Sequence, residues 1–373
     1  MTYKTSVRTD TSEYDVTVGN NILNERLNDI LGKFATDSLY ILIDKNVNHH
    51  HGKELKQIFA GFTDQLHIYE IPAGESSKSM NQFEQINDFL LRNGVRRNTP
   101  VIVIGGGVTG DLGGFAASTV LRGVPLIHIP TTLLAMVDSS VGGKTGINHQ
   151  TGKNLIGTFY QPVKVISDIR FLQTLPAEEW INGLSEILKY AAIHDATLFS
   201  DSEMFLNDDF KNRDAEKLIE IIGKCVDIKA YIVGKDEHES GIRAYLNFGH
   251  TFAHALEKAC DYHKMSHGEA VYLGMHAALK LSELSGYTLE NDCLAPFRRL
   301  YHYRISKNDL SADKLLNYMY SDKKRTGTNL RFVLLKNWQD PHILSVKQTE
   351  HVIESLNAVF RELELNHQEH NKS

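Results

Sequence analysis

The sequence predicts an α/β protein in two parts, a doubly wound α/β domain over residues 1–176 followed by a mainly helical domain over 177–373. Three observations predict it. Short β-rich runs alternate with helical patterns through the first half, a glycine-rich loop follows one of those runs, and from about Ala177 long amphipathic stretches take over. The runs 14–18, 39–44, 66–71, 101–104 and 126–129 are rich in β-branched and aromatic residues and have strand length. Between them, 82–93 carries Phe83, Ile86, Phe89 and Leu90 on one helical face, and 115–121 continues as a helix after the glycine loop. Further on, 217–233 and 268–284 are amphipathic helices, and the polar tail 366–373 reads as frayed. There is no internal repeat.

A length of 373 residues accommodates two domains of roughly 150 residues or more. With 42% hydrophobic residues the chain fills real cores, which excludes disorder, collagen and a disulfide scaffold as overall descriptions. Lys+Arg 40 against Asp+Glu 46 gives 40 − 46 = −6, so the global positive field of a nucleic-acid binder is absent. Cys225, Cys260 and Cys293 are odd in number with no C-x-x-C, which points to a reducing cytoplasm. No run reaches the ~18 apolar residues of a membrane span, and residues 1–10 carry no apolar segment of a secretory leader. A soluble cytoplasmic protein is expected, without nucleic-acid or membrane partners.

After the strand at 101–104, Gly105-Gly106-Gly107-Val108-Thr109-Gly110-Asp111 satisfies G-x-G-x-x-G. Such glycines let a pyrophosphate approach the backbone at a helix N-terminus, the Rossmann-like arrangement. The acidic ribose partner expected about 20 residues downstream is missing, and Asp44, closing an earlier strand, is the substitute. The stretch from Asp138 to Thr145 mimics a P-loop but has aspartate where the first glycine is required, so a kinase or NTPase reading loses its principal support. What remains is Lys144 on a glycine turn, followed by Lys153 and Asn154 in a second turn at 152–157, suited to an anionic group. His49-His50-His51 reads as solvated, because successive side chains do not converge on one ion.

Asn247-Phe-Gly-His250-Thr-Phe-Ala-His254-Ala-Leu-Glu257 puts two histidines one turn apart on a helix face, both zinc-ligand candidates on spacing alone. His267, opening His267-Gly268-Glu269, and Glu186 complete a candidate catalytic metal set. Cations gather around these motifs: Lys189 one turn after Glu186, Lys229, Arg243 four residues before Asn247, and Lys323-Lys324 after Asp322. Singly each reads as a solvated charge. With Lys144 and Lys153 they predict a small substrate with more than one negative charge.

These motifs together resemble the 3-dehydroquinate synthases, of the sugar-phosphate cyclase family. The resemblance covers roughly residues 44–333 and rests on Gly74-Glu75-x-x-Lys78, the 105–111 loop, Arg122-Gly123, the runs 130–135 and 137–145, Lys153-Asn154, Glu186-x-x-Lys189-Tyr190, 247–257 and His267-Gly268-Glu269. Departures are small: Ser185 stands where alanine is common, and Ala253 replaces a usual glycine.

The resemblance implies a shikimate-pathway phosphate lyase with NAD and a divalent metal, usually zinc, with cobalt an alternative. It would convert 3-deoxy-D-arabino-heptulosonate 7-phosphate to 3-dehydroquinate and phosphate through transient oxidation, phosphate β-elimination, re-reduction, ring opening and aldol closure, in a site between the two domains. It implies Glu186, His250 and His267 as metal ligands and moves His254 to the substrate phosphate, as a proton carrier. It implies that Asp44, Asn46, Glu75, Lys78, Gly106, Gly107, Val108, Thr109, Gly110, Asp111, Thr131, Thr132, Asp138, Lys144, Lys153, Phe171, Leu172, Gln173 and Thr174 line NAD. Lys144, Asn154, Asn247, His254, one of Lys323 or Lys324, and Arg122 from the other subunit of a homodimer would hold the phosphate. Lys229 and Arg243 would face the carboxylate, and Lys189 and Glu239 the hydroxyls or the metal shell, with Asp138 also on the substrate side. The rival readings are a metal-dependent alcohol or glycerol dehydrogenase, which would accumulate NADH, a cyclase for an uncarboxylated substrate, and a non-catalytic nucleotide-binding module.

Overall fold

The computed structural model describes residues 1–34, 37–207, 209–210, 212–261, 263–323, 330–346 and 348–370, side chains at 321–323 and 370 excepted. Its strands are β1 (Thr2–Arg8), β2 (Glu13–Gly19), β3 (Ser38–Asp44), β4 (Gln65–Ile71), β5 (Val101–Gly105), β6 (Leu126–Pro130), β7 (Lys144–His149), β8 (Gly152–Phe159), β9 (Lys164–Asp168), β10 (Leu330–Leu335) and β11 (Pro341–Val346). Its α-helices are α1 (Leu23–Leu31), α2 (Lys45–Ala60), α3 (Met80–Arg92), α4 (Gly107–Thr119), α5 (Ala177–Ile193), α6 (Thr197–Asp201), α7 (Ala215–Lys235), α8 (His250–Ala259), α9 (His267–Leu284), α10 (Ala312–Lys323) and α11 (Thr349–His370). Two compact units result, Met1–Pro176 with Lys211–His238, and Ala177–Phe210 with Glu239–Ser373.

The first unit is built on a seven-stranded sheet in the order β1-β2-β9-β6-β5-β3-β4, parallel except for the β1–β2 pair. β5 and β6 are buried at every position and β3 along its centre, which is why they read as largely apolar runs, broken in β6 by the buried His128, rather than alternating ones. Each large side chain fully buried there contributes roughly 1.5–3 kcal/mol. Taken in chain order, β3, β4, β5, β6 and β9 lie in the doubly wound pattern 2-1-3-4-5, whose connections diverge between β3 and β5. The Ile43–Ile104 register then brings Asp44, at the end of β3, beside Gly105, at the end of β5.

Two corrections to the sequence reading follow. The whole of 177–373 was expected in the second domain, yet α7 belongs to the first unit. The Tyr3 and Thr5 hydroxyls of β1 both donate to the Asp227 carboxylate of α7 at 2.5 Å, and Leu218, Ile222 and Val226 are buried along the helix. The second correction concerns 152–157, which is not a turn but part of β8, paired antiparallel with β7. Its Gly157 faces Gly146 across the hairpin, so glycines that look like turn signals serve a close approach of two backbones.

The second unit is helical with one addition, the β10–β11 hairpin. α9 packs against α5, α8 and α11 and is buried nearly all round, from Ala270 through Met275 to Leu281. Among the described residues, no helix is long and apolar enough to cross a membrane.

Candidate active site

In the second unit, Glu186, His250 and His267 each offer one ligand atom, and these atoms lie within 4.8 Å of one another. Oε1 of Glu186 is 3.4 Å from Nε2 of His250 and 3.3 Å from Nε2 of His267. Three N/O donors this close together, with Glu186 itself buried, could hold a divalent metal ion, and three such donors are the number expected of a catalytic rather than a structural site. His254 lies outside this group, exposed on the next turn of α8 with its ring 5.8 Å from that of His250. The spacing-based reading of both α8 histidines as ligands is therefore replaced by one histidine from α8 and one from α9.

The local sequence explains the convergence. His250 opens α8 after Gly249, which is left-handed at φ 78 and whose added Cβ would stand 2.8 Å from the backbone nitrogen of Met275 in α9. His267 opens α9 behind the Ser266–Glu269 capping box, so Glu269 is spent on the cap and does not reach the cluster as a ligand. Gly268 lies against α5, where a Cβ would be 2.5 Å from the Asn182 Cα. The three helices that carry the ligands thus approach at glycine distance.

Second-layer contacts orient both rings. Nδ1 of His250 donates to the Phe248 carbonyl at 3.2 Å, leaving Nε2 for the cluster. Nδ1 of His267 faces the Glu257 carboxylate. Lys189 pairs with the other oxygen of Glu186. Burial opposes ionisation of Glu186, but the Lys189 ammonium and the two imidazoles outweigh it and hold the carboxyl well below its usual range. Burial likewise opposes charge on His267, but donating to the Glu186 and Glu257 carboxylates pushes it up to about 10. A cation in the cluster is what these carboxylates favour.

Nearby along the second unit, Asn247 donates from Nδ2 to Glu239 at 2.6 Å, and Glu239 is itself left-handed at φ 59. Arg243 is buried at 1% exposure. Lys323 closes α10, its side chain and the whole of Lys324 lying outside the described residues.

In the first unit, Gly106 caps α4 and Gly107, Val108, Thr109, Gly110 and Asp111 form its first turns, with backbone N–H groups facing the end of β5. Asp44 caps α2, accepting from the N–H groups of Asn46 and Val47 at 2.8 and 3.2 Å. Thr131 and Thr132 follow β6, the Thr132 hydroxyl accepting from Ala135 N–H, while the buried Thr109 and Thr131 hydroxyls have no hydrogen-bond partner among the described residues. Phe171 and Leu172 are buried beside exposed Gln173 and Thr174, and the Thr174 hydroxyl is 2.8 Å from Nε2 of His51.

Lys78 pairs with Asp111 at 2.6 Å and with the Asn154 side-chain oxygen. Burial pushes the Asp111 carboxyl up, with Lys78 pulling it back. Asn148 completes this network, donating to Glu75 at 2.7 Å and accepting from the Asn154 N–H at 2.9 Å. Asn148 was missed from sequence because no motif spacing marks it. Glu257 was missed for its role, although it lies seven residues after His250 on the same helical face. Lys229 is buried against Asp138, 3.0 Å from its carboxylate and 2.6 Å from its carbonyl. Lys144 is exposed at the start of β7 and Lys153 half-buried on β8. Arg122 is exposed in a left-handed pair with Leu121, at φ 68 and 51.

Family models for the 3-dehydroquinate synthase N-terminal and C-terminal regions match residues 68–182 and 183–325. The chain belongs to the 3-dehydroquinate synthase family. A 3-dehydroquinate synthase of Salinibacter ruber is 43% identical over 81% of this chain and 83% of its own length. That of Bacillus cytotoxicus is 37% identical over 96% and 97%. Among solved structures, 2-epi-5-epi-valiolone synthase from Streptomyces hygroscopicus, with NAD+ and Zn2+ bound, superposes with TM-score 0.83 at 29% identity, over 93% of this chain and 97% of that one. The two 3-dehydroquinate synthase models meet inside α5, so the glycine loop falls in the first and the Glu186, His250 and His267 cluster in the second.

Proposed function

We propose that the chain converts 3-deoxy-D-arabino-heptulosonate 7-phosphate to 3-dehydroquinate and phosphate, with NAD and a divalent metal, as a cytoplasmic homodimer. The observation that carries this reading is the convergence of Glu186, His250 and His267, with Lys189 beside them, in a chain of this family. Those three residues would hold the metal, zinc with cobalt as a working substitute, which when bound supplies Lewis acidity to a substrate hydroxyl. NAD, held at the switch point by Asp44, Asn46, Glu75, Lys78, the 106–111 loop, Thr131, Thr132, Asp138, Lys144, Lys153 and the 171–174 segment, supplies a reversible hydride acceptor, so no net oxidation results.

The chain's own groups do the rest. Lys189 and Glu239 orient the hydroxyls beside the metal set. Lys229 and Arg243 hold the carboxylate. Lys144, Asn154, Asn247, His254 and one of Lys323 or Lys324, with Arg122 across the dimer, fix the phosphate. An imidazole nitrogen of His254, together with the phosphate oxygens, handles the proton lost as phosphate leaves. Ring opening yields a flexible chain, and holding both of its anionic ends leaves one conformation for aldol closure.

The test is to mix metal-loaded protein, catalytic NAD and the heptulosonate phosphate, following phosphate release and NADH absorbance together. Phosphate and dehydroquinate formed over many turnovers without accumulating NADH is the expected result. NADH rising in step with product would replace this reading with a dehydrogenase. A monomeric mass by light scattering at full activity would remove the dimer and the role of Arg122 across it.

A further inference from the structure

Ser185, the residue before Glu186, is fully buried. Its Oγ is 2.8 Å from the Gly268 carbonyl oxygen and 2.8 Å from the phenolic oxygen of Tyr301, with the Ile181 carbonyl at 3.2 Å. A serine hydroxyl carries one proton and a carbonyl only accepts, so Ser185 donates to a backbone carbonyl, the nearer being that of Gly268, and Tyr301 donates to Ser185. One turn earlier on α5, Oδ1 of Asn182 accepts from the Gly268 N–H at 2.9 Å. The helix that carries Glu186 therefore grips both polar groups of Gly268, the residue after His267. Tyr301 is in turn held from behind: its ring stacks on Tyr272 at 4.0 Å and its carbonyl accepts from Asn366 of α11 at 2.7 Å.

We propose that Ser185 and Tyr301 are positioning residues of the metal centre, their hydrogen-bond chain setting where His267 stands relative to Glu186. This rests on the reading of Glu186, His250 and His267 as a metal site and extends it outward. Glu186 and His267 come from different helices, so the register of α5 on α9 decides whether their donor atoms meet at bonding distance. Removing the Ser185 hydroxyl takes one hydrogen bond from the Gly268 carbonyl and one from the Tyr301 hydroxyl in a buried interior. The start of α9 then moves to satisfy them, and His267 moves with it.

Ser185→Ala, Tyr301→Phe and the double variant, each a loss of one or two oxygen atoms, test this in the full-length protein by Zn2+ competition against a chromogenic chelator and by the visible spectrum of the Co2+ form. Each single variant is expected to bind Zn2+ about tenfold more weakly and to show a changed Co2+ spectrum, with the double variant no worse than Ser185→Ala. Tyr303→Phe is the control. Its ring is part of the same stack and its buried hydroxyl has no hydrogen-bond partner among the described residues, so affinity and spectrum are expected to stay as in the parent. Parent-like affinity and spectrum in both single variants would overturn the inference. An equal loss in Tyr303→Phe would also overturn it, as a packing effect. No Zn2+ uptake by the parent would overturn the metal reading itself, an outcome distinct from the other two.

Discussion

The carboxylate of Glu257 stands 3.7 Å from Nδ1 of His267 while Nε2 of the same ring lies 3.3 Å from Glu186. One imidazole thus stands between two carboxylates, an inner one in the same donor cluster and an outer one facing its other ring nitrogen. Glu257→Gln keeps the shape and removes the charge. It is expected to lower Zn2+ affinity roughly 10–100-fold, read by chelator competition, and unchanged affinity would detach Glu257 from the metal centre.

His250→Ala removes one of three donors without disturbing the Glu186–Lys189 pair. Bound metal and turnover should both be lost, by elemental analysis and phosphate release, whereas full activity from a metal-free variant would end the metal assignment. Lys144→Ala, exposed and remote in sequence from the donors, should keep its metal and nearly abolish turnover.

His128, in the middle of β6, is pushed down to about 4 by burial. In the folded chain its ring stays neutral between that value and the ordinary 6.5, while the unfolded chain takes up a proton over the same window. The unfolded state then binds more protons, so stability rises with pH from about 4 to about 6.5 and is lost on acidification. The gap of roughly 2.5 pH units is worth about 3 kcal/mol. Thermal denaturation at about pH 5 and about pH 7.5 should differ less for His128→Gln than for the parent; an equal difference would mean the acid sensitivity originates elsewhere.

Gly249→Ala should cost about 2 kcal/mol or more, combining a left-handed conformation with a Cβ placed 2.8 Å from the Met275 backbone nitrogen. The drop would appear as a lower urea midpoint at unchanged slope. A variant as stable as the parent would show that α8 slides on α9 without penalty.

Much of the fold was legible because parallel strands buried on both faces read as near-continuous apolar runs, as Val101–Gly105 does and as Leu126–Pro130 does but for His128. Lys164–Asp168 escaped notice, its lysine and aspartate ends masking a three-residue buried centre. The glycine loop was readable because a strand, a turn and a helix follow in contiguous sequence. The Glu257 contact was not, since which carboxylate meets His267 depends on α8 crossing α9, a tertiary relation that spacing within one helix does not encode. Ser185 looked like a minor substitution in the sequence. Its hydroxyl has meaning only once Gly268 and Tyr301, 83 and 116 residues away, are in place.

The placement of α7 has a consequence for synthesis. The chain leaves the first unit at Pro176, returns for Lys211–His238 and leaves again. A ribosome that has made the glycine loop and every strand of the large sheet has not yet made the helix whose Asp227 holds Tyr3 and Thr5. Until that helix emerges, β1 waits with its inner face uncovered, and a fragment cut at Pro176 would stay in that condition. The first unit is therefore completed late and from both sides of an interruption, which ties its maturation to the emergence of α5, the helix that bears Glu186.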